Sequence, residues 1–184
     1  MSERHGMIRR ATPADREAIV EMQAHSFRTL GRHHYGFEVI EAFILHVGTL
    51  DPHLIEDRTF FVIERDDAIL ACGGWSVRRP AYALHAANDA ELAPQVPIVR
   101  AVYASAQMPR QGLGRRIMAE IEADILRAGY DRACLTATLS GLPLYRAIGY
   151  RGDAPVVMSL PGGHPLVGIA MEKRLDSGSA HRAA

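Results

Sequence analysis

Cysteine is scarce in this sequence. Only Cys72 and Cys134 occur, each inside an apolar run and neither in a C-x-x-C pair. That spacing offers no zinc ribbon and no dithiol redox motif, and leaves two reduced, buried thiols as the simple expectation. Long hydrophobic runs are also missing. No segment reaches the roughly 18 apolar residues of a membrane span, and Met1 to Arg10 lacks the apolar stretch of a signal peptide. No membrane partner and, by default, a cytoplasmic location are expected. Neither sign of charge is in excess: Lys plus Arg and Asp plus Glu both count 21, which argues against a general nucleic-acid binder. Of the two familiar phosphate signatures, G-x-G-x-x-G and G-x-x-x-x-G-K-[ST], neither is present. The nine histidines form no H-E-x-x-H, and the adjacent His33 and His34 point apart, so no metal is expected.

What is present is ordinary globular composition, 48 % hydrophobic and 23 % charged, at a length that suits one domain. Residues 1–175 are read as that domain, and 176–184 as a small, polar tail expected to be disordered. Met7–Arg10 has strand character. Thr12 as N-cap and Pro13 in the first position open a helix with apolar residues at Ile19, Met22 and Phe27, ended by Gly31. Ile40, Phe43, Ile44 and Val47 mark a second helix, and Asp51-Pro52 a turn. Thr59–Glu64, the turn Asp66-Asp67 and Ile69–Val77 read as a hairpin, its Gly73-Gly74 pair suggesting a bulge. An Ala-rich loop, Arg79 to Pro94, leads to a strand over Pro97–Ala106. Leu113, Ile117, Ile121 and Ile125 recur every four residues in a strong helix that Gly129 stops. A strand at Arg132–Ala137, a short helix at Leu142–Ile148, and strands at Val156–Leu160 and Leu166–Lys173 around Pro161-Gly162-Gly163 complete the chain.

Chemistry concentrates in Pro109-Arg110-Gln111-Gly112-Leu113-Gly114-Arg115-Arg116, between a strand and a helix. A helix start leaves backbone N–H groups unpaired and carries a partial positive charge. Glycines let the backbone approach a ligand closely, so the turn suits a pyrophosphate, with Arg110, Arg115 and Arg116 adding charge. On the glycines alone, a tight strand-to-helix turn explains the pattern equally well.

The company of this loop decides between the two. The strand, the Q/R-x-x-G-x-G-like turn, the amphipathic helix, the next strand and the short helix Leu144-Tyr145-Arg146-Ala147-Ile148-Gly149-Tyr150 follow one another over Pro97 to Tyr150. This succession resembles the cofactor-binding half of the GNAT superfamily of acyl-CoA-dependent N-acetyltransferases. The first motif position falls on Pro109, a departure from the family pattern, with Arg110 as the charge one residue later. The resemblance implies a mixed α/β fold: a twisted, mostly antiparallel sheet of six or seven strands, with splayed central strands and helices on both faces. It implies acetyl-CoA as donor, its pantetheine arm pairing with backbone groups of Val102, Tyr103 and Ala104. Its pyrophosphate would rest on Arg110, Gln111, Gly112, Leu113, Gly114 and Arg115. By the same resemblance Tyr145 is the catalytic acid to the departing sulfur, and a backbone N–H near Ala104 the oxyanion donor.

The implied reaction is acetyl transfer to an amine, on a small molecule or a peptide, by direct attack on the thioester. The alternative is a non-catalytic acyl-CoA-binding sensor or interaction domain. The strand before the Gly loop carries Arg100 where many relatives place a glutamate base. Glu91, His85, Glu56 or a solvent route stay open for that role. Thr138 and Ser140 stand where relatives often place an asparagine. Arg100 and Arg79 are the first cations to test for an anionic acceptor, and a homodimer is a further possibility the family allows.

Overall fold

The computed structural model describes residues 6–78 and 96–176. The Ala-rich stretch from Arg79 and the terminal tail fall outside the described residues, and with them Arg79, His85 and Glu91. Seven strands are described: β1 (Met7–Arg10), β2 (Phe60–Arg65), β3 (Ala68–Ser76), β4 (Ile98–Ala104), β5 (Arg132–Thr138), β6 (Arg151–Leu160) and β7 (His164–Arg174). The helices are α1 (Arg16–Gly31), α2 (Phe37–His46), the short α3 (His53–Glu56), α4 (Leu113–Arg127) and α5 (Leu142–Ala147).

The strands form one sheet in the order β1-β2-β3-β4-β5-β7-β6. Every neighbouring pair is antiparallel except β4 and β5, which are parallel. A parallel pair needs a crossover rather than a hairpin, and α4 lies on that connection. The expected mixed sheet, with helices on both faces, is therefore the one observed. The run Phe60–Ile63 is continuously apolar because both faces of β2 are covered. One face carries Phe61 and Ile63 against Ile117, Ile121 and Ile125 of α4. The other carries Phe60 and Val62 against Ile19 of α1 and Leu54 of α3.

The four-residue repeat of α4 explains its anchoring. Ile117, Ile121 and Ile125 are fully buried and Leu113 nearly so, each contributing roughly 1.5–3 kcal/mol. At its far end Tyr130 N–H reaches Ile125 O and Gly129 N–H reaches Leu126 O, a Schellman closure. The buried carboxylate of Asp124 then accepts from Trp75 Nε1 at 2.9 Å, Arg10 Nη2 at 2.7 Å and Arg127 Nη1 at 3.0 Å. One side chain thus ties α4 to β1 and β3, and fixes where the helix start points. Trp75 belongs to this core.

Three details differ from the sequence pattern. α3 follows Asp51-Pro52, where a plain turn was expected; a single helical turn is too short to show periodicity. β6 begins at Arg151, well before Val156, its exposed first half being an edge with no alternation to read. Cys134 is only partly buried, whereas Cys72 is fully buried and its thiol is pushed up to about 12 by desolvation. Among the described residues no helix is long and apolar enough to cross a membrane.

A candidate active site where the sheet divides

β4 and β5 share a single register pair, Ile98 with Cys134, backed by Cys134 N–H on Pro97 O at 2.9 Å. Beyond it β4 stays with β3 as far as Ala71–Ala104, and β5 stays with β7 as far as Thr138–Gly168. The two strands part, and their inner edges face a gap.

A bulge in β4 accompanies the parting. Gly74 pairs with Arg100 and Cys72 with Tyr103, so Ala101 and Val102 together oppose Gly73. Two residues against one bend a strand and raise its twist. Ala101 sits at φ 55°, in the left-handed region, at a cost of about 1–2 kcal/mol for a residue with a Cβ. Gln23 of α1, fully buried, donates to Ala101 O at 3.3 Å, and Cys72 Sγ lies 3.6 Å from the same oxygen. Gly73 leaves the room, since a Cβ there would stand 2.9 Å from Val102 Cγ2.

The gap is a cavity of about 250 Å³. Its walls include Val102, Tyr103 and Ala104 of β4, Thr136 and Thr138 of β5, Gly114 of α4, and Leu144 and Tyr145 of α5. On the opposite side lie Ser26, Phe27 and Leu30 of α1, Phe43 of α2, and Met158 and Leu166 of β6 and β7.

At one end stands the start of α4. Arg110 and Gly112 both have positive φ, 59° and 71°. Gly112 is the N-cap and offers no side-chain cap, and the first turn holds no acid. The first turn of the helix closes with Arg116 N–H on Gly112 O at 3.0 Å. The amides of Leu113, Gly114 and Arg115 are therefore helix-start donors that require partners from outside the helix. The two glycines serve different ends. A Cβ on Gly112 would meet nothing within 4 Å, so its positive φ is what demands glycine. A Cβ on Gly114 would stand 2.8 Å from Leu144 Cδ2, so Gly114 admits α5 against α4 as well as bordering the cavity. Arg110, Gln111 and Arg115 are exposed. Arg116 reaches back to Gly6 O, just before β1, at 3.0 Å.

Tyr145 is buried at the cavity wall, edge-to-face with Tyr150 at 5.9 Å between ring centroids. Desolvation raises the Tyr150 and Tyr103 phenols far above their ordinary values, so both stay protonated. Thr138 and Ser140 satisfy one another at 3.2 Å, and Thr138 Oγ1 also accepts from Gly141 N–H at 3.3 Å.

Two further polar residues brace the divided strands, and neither was singled out from the sequence. Ser26 donates to Ala104 O at 2.7 Å, fastening α1 to the free end of β4. Tyr35 donates to Val167 O at 2.7 Å and accepts from Leu139 N–H at 2.8 Å, continuing the β5–β7 ladder where the backbone pairs end. A polar residue beside Phe27 on the buried stripe of α1 was the one visible hint. The earlier candidates for charge fare differently. Arg100 lines the cavity wall, buried and ion-paired with Asp51 at 3.4 Å. Glu56 is exposed on α3, bonded to His53 Nδ1 at 2.9 Å, and does not border the cavity. Among the described residues no carboxylate side chain lines it.

The sheet is thus divided between two parallel strands, with an uncapped helix start at the opening. The family model of the acetyltransferase (GNAT) domain matches residues 56–152, more than half of the chain. The protein belongs to the GNAT acetyltransferase family. A GCN5-related N-acetyltransferase from Rhodopseudomonas palustris superposes with a TM-score of 0.72 at 14% identity, over 95% of this chain and 99% of that one. The PaiA N-acetyltransferase from Thermoplasma acidophilum, solved in complex with coenzyme A, gives a TM-score of 0.65 at 16% identity, over 91% and 98%. A GNAT family acetyltransferase from Brucella melitensis, in complex with acetyl-CoA, gives 0.51 at 17% identity, over 79% and 82%. At these identities the likeness is one of fold. No curated protein matches the sequence.

Proposed function

We propose that this protein is an N-acetyltransferase that takes an acetyl group from acetyl-CoA and delivers it to an amine by direct attack on the thioester. The observation that carries the reading is the parting of β4 from β5 after one register pair, beside a helix start with three outward amides. Backbone groups of Val102, Tyr103 and Ala104 would hold the pantetheine arm. Amides from Arg110 to Arg115 would hold the pyrophosphate, helped by the helix dipole.

Acetyl-CoA supplies a thioester whose carbonyl carbon the amine attacks, forming a C–N bond as the C–S bond breaks and its electron pair leaves on sulfur. Tyr145 then gives its phenolic proton to that sulfur. A backbone N–H near Ala104 stabilises the charge that develops on the carbonyl oxygen. The amine must arrive neutral, which costs an alkylammonium roughly 4 kcal/mol at pH 7.

A β4 strand that carries Arg100 and no acid favours a second reading, in which the domain binds acyl-CoA and does not turn it over. Two measurements on the purified protein separate them. Acetyl-CoA at about 1 mM should raise the melting temperature, and free thiol should accumulate when an amine panel is added. A shift without thiol release supports the binding-only reading; no shift rejects both.

A further inference from the structure

The half of the cavity facing away from α4 has an unusual makeup for a site that receives an amine. Phe27 is its centre, edge-to-face with Phe43 at 5.5 Å and with Tyr103 at 6.4 Å. Leu30, Met158 and Leu166 complete an aliphatic surround. The one small polar group is Ser26, 3% exposed. Its proton is committed to Ala104 O at 2.7 Å, which leaves its oxygen as an acceptor on the cavity wall. The titratable groups packed around this wall are Tyr35, Tyr103, Tyr145 and the buried Arg100–Asp51 pair. Among the described residues none is a carboxylate or imidazole open to the cavity.

An ammonium entering such a wall loses its water and gains no counter-charge from the described residues, which disfavours the charged form. A neutral amine loses little and needs one acceptor. Building on the acetyltransferase reading above, we propose that the acceptor is a small primary amine with one apolar arm and no second positive charge. Its nitrogen is held by Ser26, and its proton is removed by desolvation into water. The balance is complete without a basic side chain. The ammonium gives one proton to solvent as it seats. The nitrogen lone pair forms the C–N bond, and sulfur leaves with the C–S pair and takes the Tyr145 proton. The nitrogen's second proton passes to water, and Tyr145 is reprotonated from water. Polyamines and aminoglycosides would carry further ammonium groups against Phe27 and Phe43.

Leucinamide and 3-methylbutylamine test this directly, because they share one isobutyl arm while their amines titrate near 8 and near 10. In the wild type, kcat/KM should favour leucinamide on the order of a hundredfold at pH 7, and the ratio should shrink about tenfold by pH 9. Spermidine and kanamycin should lie about a hundredfold or more below leucinamide. Leu30→Glu, at a half-exposed position on the rim, should raise turnover of spermidine about tenfold and leave the acetyl-CoA thermal shift in place. Ser26→Ala should raise KM for leucinamide about tenfold, and the wild-type comparison stands even if that variant fails to fold. A polycation preferred over leucinamide would overturn the proposal. So would a ratio near one at both pH values, or an acetyl-CoA shift with no monoamine turned over. Each leaves acetyl-CoA binding intact, whereas loss of the thermal shift would strike the underlying reading itself.

Discussion

The two sides of the divided sheet are built from different material. Toward α4 the cavity meets the inner edge of β4 and Gly114, which has no side chain, with Leu144 and Tyr145 beside them. Toward α1 it is bordered by side chains, Phe27, Leu30, Phe43, Met158 and Leu166. A backbone surface depends on strand geometry and φ values and tolerates many sequences. A side-chain surface changes with each substitution. The α1 side is therefore the one that single substitutions reshape most readily.

The comparison is sharpened most by Tyr145→Phe. If Tyr145 supplies the proton to sulfur, kcat should fall about a hundredfold while the acetyl-CoA thermal shift survives, because the proposed grip uses backbone groups. Equal turnover would remove Tyr145 from the chemistry. Gly114→Val comes next. With a Cβ only 2.8 Å from Leu144 Cδ2, overpacking should cost about 1–3 kcal/mol, read by denaturant unfolding. Leu144→Ala in the same chain should recover part of it, and no recovery would deny the helix–helix contact. Gln23→Leu probes the bulge from the α1 side. Loss of the bond to Ala101 O should cost about 1 kcal/mol and raise KM for acetyl-CoA several-fold, with kcat less affected. An unchanged KM would uncouple α1 from the donor half.

The smallest effect is expected far from the cavity. Arg9 grips Asp15 through two bonds, 2.8 and 2.7 Å, and holds its carboxyl well below the usual range. A depressed folded-state value means stability that is present above the unfolded carboxyl's titration and lost as pH falls below about 4. Asp15→Asn should therefore lower stability by under about 1 kcal/mol at pH 7, with the difference from wild type closing in acid. A difference that widens in acid would reverse the assigned sign.

Much of the architecture is legible in residue patterns, because hydrophobic period and turn residues act locally. The α4 stripe, the Asp66-Asp67 turn with φ of 51° and 61°, and the closing strands around Gly162-Gly163 are of this kind. The Gly loop and Tyr145 were also visible in sequence, and the fold brings Gly114 and Tyr145 to one cavity. What stayed hidden depends on distant partners. Ala101 adopts a left-handed φ inside a tertiary frame that includes Gln23, 78 residues away. Ser26 gains meaning only once α1 lies on β4. Arg116 looks like a loop cation until β1 brings Gly6 beside it, and Gly114 shows its second duty only when Leu144 is in place.

Amide hydrogen exchange with and without acetyl-CoA tests most directly whether the main chain of the divided sheet is the donor's grip. Slowed exchange is predicted at Val102 to Ala104 and at Arg110 to Arg115, with the β6–β7 hairpin unchanged. Protection confined to other segments, with those two stretches exchanging as before, would contradict it.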